Sequence, residues 1–311
     1  MTQNRLKPQK AEDADLAKIR FPAICQPKID GVRAPYLGQT LTSRTLTQFR
    51  NTAVTRTFND PLMQGLDGEL AYGEINKPGL CARTQGLVNS YASNTNGDIP
   101  DWYIFDFVTP NSYHLPYKQR WENAKVIVNR LAHPKVILVP RATVVNSLEE
   151  VLAYHIEVIA CGFEGTIIRF VGGPHKSGRS TVNEGYYLRL KDFADAEGTI
   201  TKIFEGEHNL NEATRGNAGQ LKRSSAQANK IGNQMVGSLE VTFPAGTIKA
   251  KPELTSGIIS AGSLTHKERA EFWEFPQRIL NRRCTFTFMV YGMKDKLRFP
   301  QFKSFRDGAD E

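Results

Sequence analysis

Lys28-Ile29-Asp30-Gly31-Val32-Arg33 follows an apolar run at 21–25 and precedes a second short strand. A lysine on a tight turn is placed as a nucleophile is. An amine that attacks phosphorus or a carbonyl must be unprotonated, and neighbouring cationic groups or a metal lower its pKa to that end. Arg33 supplies such a charge five positions on. The same stretch also reads as a solvated turn with Asp30-Gly31 at its tip. Taken alone, it leaves both readings open.

Outward from this turn, two more segments place a carboxylate at the start of an apolar strand: Asp67-Gly68-Glu69-Leu70 and Glu164-Gly165-Thr166-Ile167-Ile168-Arg169. Glu69 suits a ribose hydroxyl or a metal-bound water, or simply the edge of a hairpin. Two carboxylates, Glu69 and Glu164, match magnesium held jointly with a phosphate, because that ion takes few protein oxygens and keeps several waters. In Tyr187-Leu188-Arg189-Leu190-Lys191 the two cations stand two apart, hence on one face of a strand, which favours an anion between them. Phe105 lies in Ile104-Phe105-Asp106-Phe107, where alternate aromatics are as readily core as base platform. Phe272 and Trp273 are read as packing.

The chain's 311 residues predict two domains with a sizeable core. Forty Lys and Arg against 32 Asp and Glu leave a formal charge of +8, which favours a polyanionic partner such as nucleic acid. The longest apolar runs, such as 136–139, fall far short of the roughly 18 residues of a membrane span. The polar, basic start does not read as a secretory signal, so a cytoplasmic protein is expected. Cys25, Cys81, Cys161 and Cys284 are too scattered for a zinc knuckle or redox pair and are read as free thiols. No two of the six histidines stand at zinc-ligand spacing.

Residues 1–20 read as a polar N-terminal segment, with the ordered fold beginning near 21. From there to 194 strands alternate with helical patterns, the mixed signal of an α+β or α/β domain, of which α+β is the expected class. Strands are expected near 35–36 and at 68–72, 102–108, 136–139, 166–170 and 186–190. Helices are expected at 117–131, stopped by Pro134, and at 151–160, behind a capping box of Ser147 and Glu150 and before Gly162. From 195 to 311 short strands at 198–204, 237–243, 247–251 and 284–291, with a capped helix at 270–280 behind Thr265 and Glu268, suggest an OB-type barrel. An insertion at about 206–235 interrupts it, with no apolar period and with Arg215, Lys222, Arg223 and Lys230 among polar residues. Such an insertion is functional or disordered.

In this order the motifs resemble those of the covalent nucleotidyltransferases, most closely the small ATP-dependent DNA ligases of viruses and phages, over residues 24–307. The resemblance implies a nucleotidyltransferase domain of antiparallel sheets and flanking helices followed by the OB-fold domain. It implies that Lys28 is adenylated by ATP, with Arg33 and Glu69 on the ribose, Gln26 near the adenine amino group and Phe105 stacked on the base. Glu164 would organise the metal, magnesium or manganese in its place, and Lys191 would hold the α-phosphate. Arg44, in Thr42-Ser43-Arg44, would hold the 5′-phosphate of a nick. The ending Arg298-Phe299-Pro300, followed by Phe305-Arg306-Asp307, resembles the terminal motif, with Arg298 orienting pyrophosphate. The insertion resembles the latch that closes around duplex DNA and orders on binding. One position departs from the pattern: Arg189 stands where a lysine is usual, and a planar fork engages phosphate differently from an ammonium.

The activity so implied is ATP-dependent nick sealing by a monomer: a lysyl-AMP intermediate, AMP transfer to the 5′-phosphate, and attack by the 3′-hydroxyl. AMP chemistry and DNA would take turns on one face, with a hinge at 193–198. Arg298→Ala is therefore expected to block lysine adenylation while sparing closure of a pre-adenylated nick; equal loss of both steps would count against that role. The rival readings are an RNA ligase, a GTP-using capping guanylyltransferase and a non-catalytic OB-type nucleic-acid-binding protein. Nucleotide preference separates the capping enzyme, and the full Lys28, Glu69, Glu164 and Lys191 set argues against the binding protein.

Overall fold

Between residues 23 and 191 the β-branched stretches pair into two larger sheets, placed by where their side chains can be buried, and a short polar strand from residues 12–13 joins the edge of one. The computed structural model describes residues 6–306, so Asp307 of the terminal motif lies outside the described residues. The first sheet has the order β2 (Glu12–Asp13), β11 (Tyr187–Lys191), β9 (Gly165–Phe170), β3 (Ala23–Pro27) and β8 (Thr143–Val145). The second has the order β4 (Val32–Pro35), β5 (Leu66–Ala71), β6 (Asp101–Phe107) and β7 (Val136–Leu138). All five residues of β3 are buried. In β6 the burial alternates, with Trp102, Ile104 and Asp106 on the buried face. The sheets are mixed rather than wholly antiparallel, since β2 runs parallel to β11 and β7 to β6.

Four helices flank them: α1 (Thr52–Thr57), α2 (Leu80–Asn89), α3 (Tyr117–Leu131) and α4 (Leu148–Ala160). On α3 the buried residues Tyr117, Arg120, Trp121, Ala124 and Val128 form one stripe of helical period. At α4 the Ser147 hydroxyl accepts the Glu150 amide at 3.3 Å, but the Glu150 carboxylate reaches back to the Asn146 amide, one residue before the cap. The first two helices are not among those expected: α1 is only six residues long, and the stripe of α2, Leu80, Thr84, Leu87 and Val88, includes a polar threonine.

The fold starts before residue 21. Strand β1 (Gln9–Lys10) runs parallel to β10 (Gly178–Arg179), and β2 joins the edge of the first sheet. Two-residue strands with polar side chains carry no periodic signal, so the first twenty residues read as a tail when they are partly sheet.

Among the described residues the second compact unit consists of 192–216 and 221–306, whereas 217–220 group with the first. It is a closed barrel in the order β12 (Phe193–Asn209), β15 (Lys230–Thr242), β16 (Ser256–Ser260), β18 (Arg298–Phe305) and β17 (Arg283–Met289), with β17 returning to β12. Its core includes Ile200, Leu239, Val241, Ile259 and Phe286, and Phe272 of α5 (His266–Glu274) packs there with Trp273 half-buried beside it. The Thr265–Glu268 capping box is complete, and α5 stops at Glu274, ahead of Pro276. The stretch 247–251 is a set of turns, not a strand: Thr247 donates to the Pro244 carbonyl, Gly246 to that of Pro252, and the barrel strand comes later, as β16.

The insertion is a β-ribbon. Strands β12 and β15 continue their pairing out to Asn209 and Lys230, and β13 (Ala213–Arg215) pairs with β14 (Leu221–Arg223). Asn211 is buried, its amide donating to Asn209 and to the Ser224 and Ala226 carbonyls at 2.8–3.1 Å. Backbone ladders and the side chains of Asn209, Asn211 and Arg223 hold a ribbon whose sides are solvated, so no apolar alternation is needed to form it. Among the described residues no helix is long and apolar enough to cross a membrane.

Candidate active site

Strand register alone brings three distant residues to one point. The Lys28 amide donates to the Gly165 carbonyl at 2.8 Å just past the end of β3, and Lys191 sits opposite Gly165 at the end of β11. Three neighbouring strands thus deliver Lys28, Glu164 and Lys191 side by side. One Glu164 oxygen bonds Lys28 Nζ, and the other lies 2.8 Å from Lys191 Nζ. Gly165 is required for this closeness, since a Cβ there would lie 2.2 Å from the Leu190 carbonyl oxygen. Gly31 has the same function on the other side: its Cβ would lie 2.2 Å from the Leu70 carbonyl, so Asp30-Gly31 is packed on β5 and is not a free turn tip.

Burial alone would lower the Lys28 pKa, but Glu164, with help from Glu69 and Asp30, raises it above the ordinary lysine value. Desolvation likewise works against the Glu164 charge and loses to Lys28 and Lys191, which hold that carboxyl below its usual range. Glu69 goes the other way. Burial pushes it up to about 7, and Arg33 and Lys28 offset only part of that. Two carboxylates beside one lysine therefore have proton affinities driven apart by their surroundings.

The second sheet supplies the facing wall. Arg33 on β4 grips Asp67 with two bonds of 2.6 Å and donates to the Tyr187 hydroxyl at 3.2 Å. Its guanidinium lies over the Phe105 ring, 4.4 Å from the centroid. Phe105 sits at a β-bulge: Asp67 faces Asp106 and Gly68 faces Ile104, which leaves Phe105 as the extra residue of β6. Alternation along β6 already puts residue 105 on the face away from Trp102, where its ring meets Arg33, and the bulge leaves it without a residue opposite on β5. Behind the ring, the buried Asp106 binds Arg120 at 2.9 and 3.2 Å and Arg169 at 2.6 Å. Gln26 is buried on β3, with its amide nitrogen 3.0 Å from the Tyr117 hydroxyl.

The remaining expected residues are placed within their own units. Arg189 pairs with Asp13 of β2 at 2.6 and 3.1 Å, and Lys191 with Glu164 at 2.8 Å. Arg44 is exposed on a turn of the first unit, near enough to Lys10 for its charge to lower that lysine's pKa, after burial. In the barrel unit, Arg298 donates to the Tyr291 carbonyl at 2.7 Å. Arg215, Lys222 and Arg223 are exposed on the ribbon, where Arg223 bonds the Asn211 carbonyl, and Lys230 lies 3.5 Å from Glu207. The sequence reading overlooked Asp67, Asp106, Arg120, Arg169 and Tyr117. All five are buried, and a buried charge leaves a mark only through its partner, which is remote in sequence.

Among the described residues no group of three or more His, Cys, Asp or Glu is placed to hold a metal. Neither a protein-family model nor a curated protein matches the sequence. Solved structures do. The chain is 26% identical to the Chlorella virus DNA ligase-adenylate, covering 98% of this chain and 100% of that one with a TM-score of 0.52. It is 21% identical to a Lig E DNA ligase described as binding DNA with a minimal scaffold, covering 96% of this chain and 99% of that one with a TM-score of 0.66, a likeness of fold. The chain has the two-part fold of these DNA ligases.

Proposed function

We propose that this protein is an ATP-dependent DNA ligase that seals nicks through a lysyl-AMP intermediate. The observation that carries the reading is the single carboxylate, Glu164, held between Lys28 and Lys191 beside a ring and a gripped arginine, Phe105 and Arg33. The full-length likeness to a ligase solved as its adenylate supports it.

Lys28 Nζ attacks the α-phosphorus of ATP; an N–P bond forms, the P–O bond to pyrophosphate breaks, and its electron pair leaves with pyrophosphate. Lys191 turns from Glu164 to the α-phosphate oxygens, where charge builds. Phe105 takes the base, and Arg33, fixed by Asp67 and Tyr187, meets the ribose with Glu69. AMP then passes to the 5′-phosphate of a nick, and the 3′-hydroxyl displaces it. The donor set fits magnesium: Glu164 and Glu69 are two carboxylates, too few for a closed protein cage and suited to an ion shared with phosphates. When bound, the ion offsets charge on the triphosphate. Arg44 and the ribbon residues Arg215, Lys222, Arg223 and Lys230 contact the backbone of nicked duplex DNA, and the protein works as a cytoplasmic monomer.

Because Glu164 holds Lys28 as an ammonium with a raised pKa, the amine fraction near neutral pH is small and grows tenfold per pH unit. Adenylation at saturating ATP is expected to rise about that steeply from pH 7 to 8, measured as the initial rate of covalent labelling; a flat profile would show that proton loss does not limit the step. The function itself is tested by incubating the protein with magnesium and α-labelled ATP or GTP, resolving it on a denaturing gel, and chasing the band with nicked DNA. A band from ATP, discharged as the nick closes, is expected. A band from GTP would instead indicate a capping enzyme.

A further inference from the structure

Tyr117 opens α3, is fully buried, and has one hydroxyl proton. That proton goes to the Phe105 carbonyl, 2.8 Å away. A backbone carbonyl only accepts, so the Tyr117 oxygen must act as an acceptor toward its other neighbour, Gln26, at 3.0 Å. The group that Gln26 turns to Tyr117 is therefore its NH2, and its carbonyl oxygen is the end turned away. Gln26 precedes Lys28 by two along an extended strand and so shares its face. The bond to Phe105 also ties the amide to the bulge that carries the ring. Tyr117 is itself clamped, because the Arg169 guanidinium lies 4.0 Å from its ring centroid and is anchored to Asp106.

We propose that Tyr117 is a base-specificity residue, which fixes the Gln26 amide so that a carbonyl oxygen is offered to the nucleobase and a 6-amino purine is chosen over a 6-oxo purine. The inference rests on the reading of this pocket as the nucleotide site. An adenine amino group donates to the offered oxygen. A guanine carbonyl there meets oxygen against oxygen, and the amide cannot turn over without setting its oxygen against the Tyr117 oxygen or drawing the Tyr117 proton off the Phe105 carbonyl. Tyr117 acts through Gln26 and touches no reacting atom, so it is a positioning residue.

The test is covalent labelling of the full chain by α-labelled ATP and GTP in magnesium. Tyr117→Phe should narrow the ATP-over-GTP ratio about tenfold by letting the Gln26 amide turn over. Adding Gln26→Glu to that variant should restore the ratio, because a carboxylate only accepts whichever way it turns. Equal loss of both labels with an unchanged ratio would overturn the proposal and leave Tyr117 a packing residue. Should Tyr117→Phe fail to fold, the unaltered chain answers with labelled purine riboside triphosphate and inosine triphosphate. The expected order is ATP, then purine riboside, then inosine; inosine equal to or above purine riboside would overturn the proposal. Absence of label from every nucleotide, after pyrophosphate pretreatment to strip any existing adduct, would overturn the nucleotide reading itself and this inference with it.

Discussion

Lys28→Ala is expected to lower covalent labelling by ATP on the order of 10⁵-fold, the scale of loss when a nucleophile is removed from an enzyme that depends on it. The substitution should not disturb the fold, because Glu164 keeps Lys191 at 2.8 Å and the Lys28 backbone bond to Gly165 needs no side chain. The variant should still close a pre-adenylated nick slowly, since that step needs positioning but no lysine adduct. Lys28→Arg is the sharper control. Its guanidinium still pairs with Glu164 yet stays protonated, so it retains the charge and loses the attack. A labelling gel run beside a sealing assay on pre-adenylated DNA separates the two effects. An adduct persisting in Lys28→Ala would mean that another side chain is the nucleophile.

Asp106→Asn should cost about 3–5 kcal/mol of folding stability, as expected when one member of a buried ion group is neutralised. Asp106 takes the Phe107 amide at 2.8 Å besides its bonds to Arg120 and Arg169, and it is the carboxylate on which both guanidinium groups converge. The Arg169 Nε and Nη1 atoms have no hydrogen-bond acceptor, and the guanidinium instead lies between the Tyr117 and Tyr187 rings at 4.0 and 4.1 Å. An amide in place of the carboxylate leaves two buried cations without a counter-charge. Domains of this kind have about 5–15 kcal/mol in all, so the urea midpoint should fall far below that of the unaltered protein. A shift under about 1 kcal/mol would show that water or relaxation compensates the cluster. The sign with pH is equally clear. Although burial alone would raise it, Arg120 and Arg169 hold this carboxyl well below its usual range. Its stabilising contribution is thus complete above the ordinary aspartate pKa and lost only as pH falls through the depressed value.

What the sequence revealed followed from local rules. Thr265 with Glu268, Ser147 with Glu150, and the 117–131 stripe obey capping and period, which act within one helix. Lys28, Glu164 and Lys191 stood out because each ends or begins an apolar strand, and the structure brings them together. Hidden features depended on partners far along the chain. Nothing near Asp106 indicates that Arg169 will reach it, and nothing near Phe105 reveals a bulge, which is a mismatch between two strands and not a property of either. The partner of Arg189 was hidden for the same reason: Asp13 comes from the first twenty residues, which read as a tail. The 247–251 stretch failed for the opposite reason. Its alternation is genuine, with Ile248 buried, but turn bonds between Pro244 and Pro252 decide the backbone.

The pairing of residues 9–10 with 178–179, and of 12–13 with 188–189, has a kinetic side. Contacts that span about 170 positions close late, because a long loop must be ordered before they form. During synthesis the first strands leave the ribosome well before their partners exist, and they stay unpaired until more than half of the chain has emerged. The Gln9 carbonyl and the Asp13 carboxylate, which meet Arg33 and Arg189 in the finished protein, thus arrive among the last pieces of the first unit. Refolding followed by hydrogen exchange should therefore show the amides of β1 and β2 gaining protection after those of β5 and β6, whose partners lie within about forty positions.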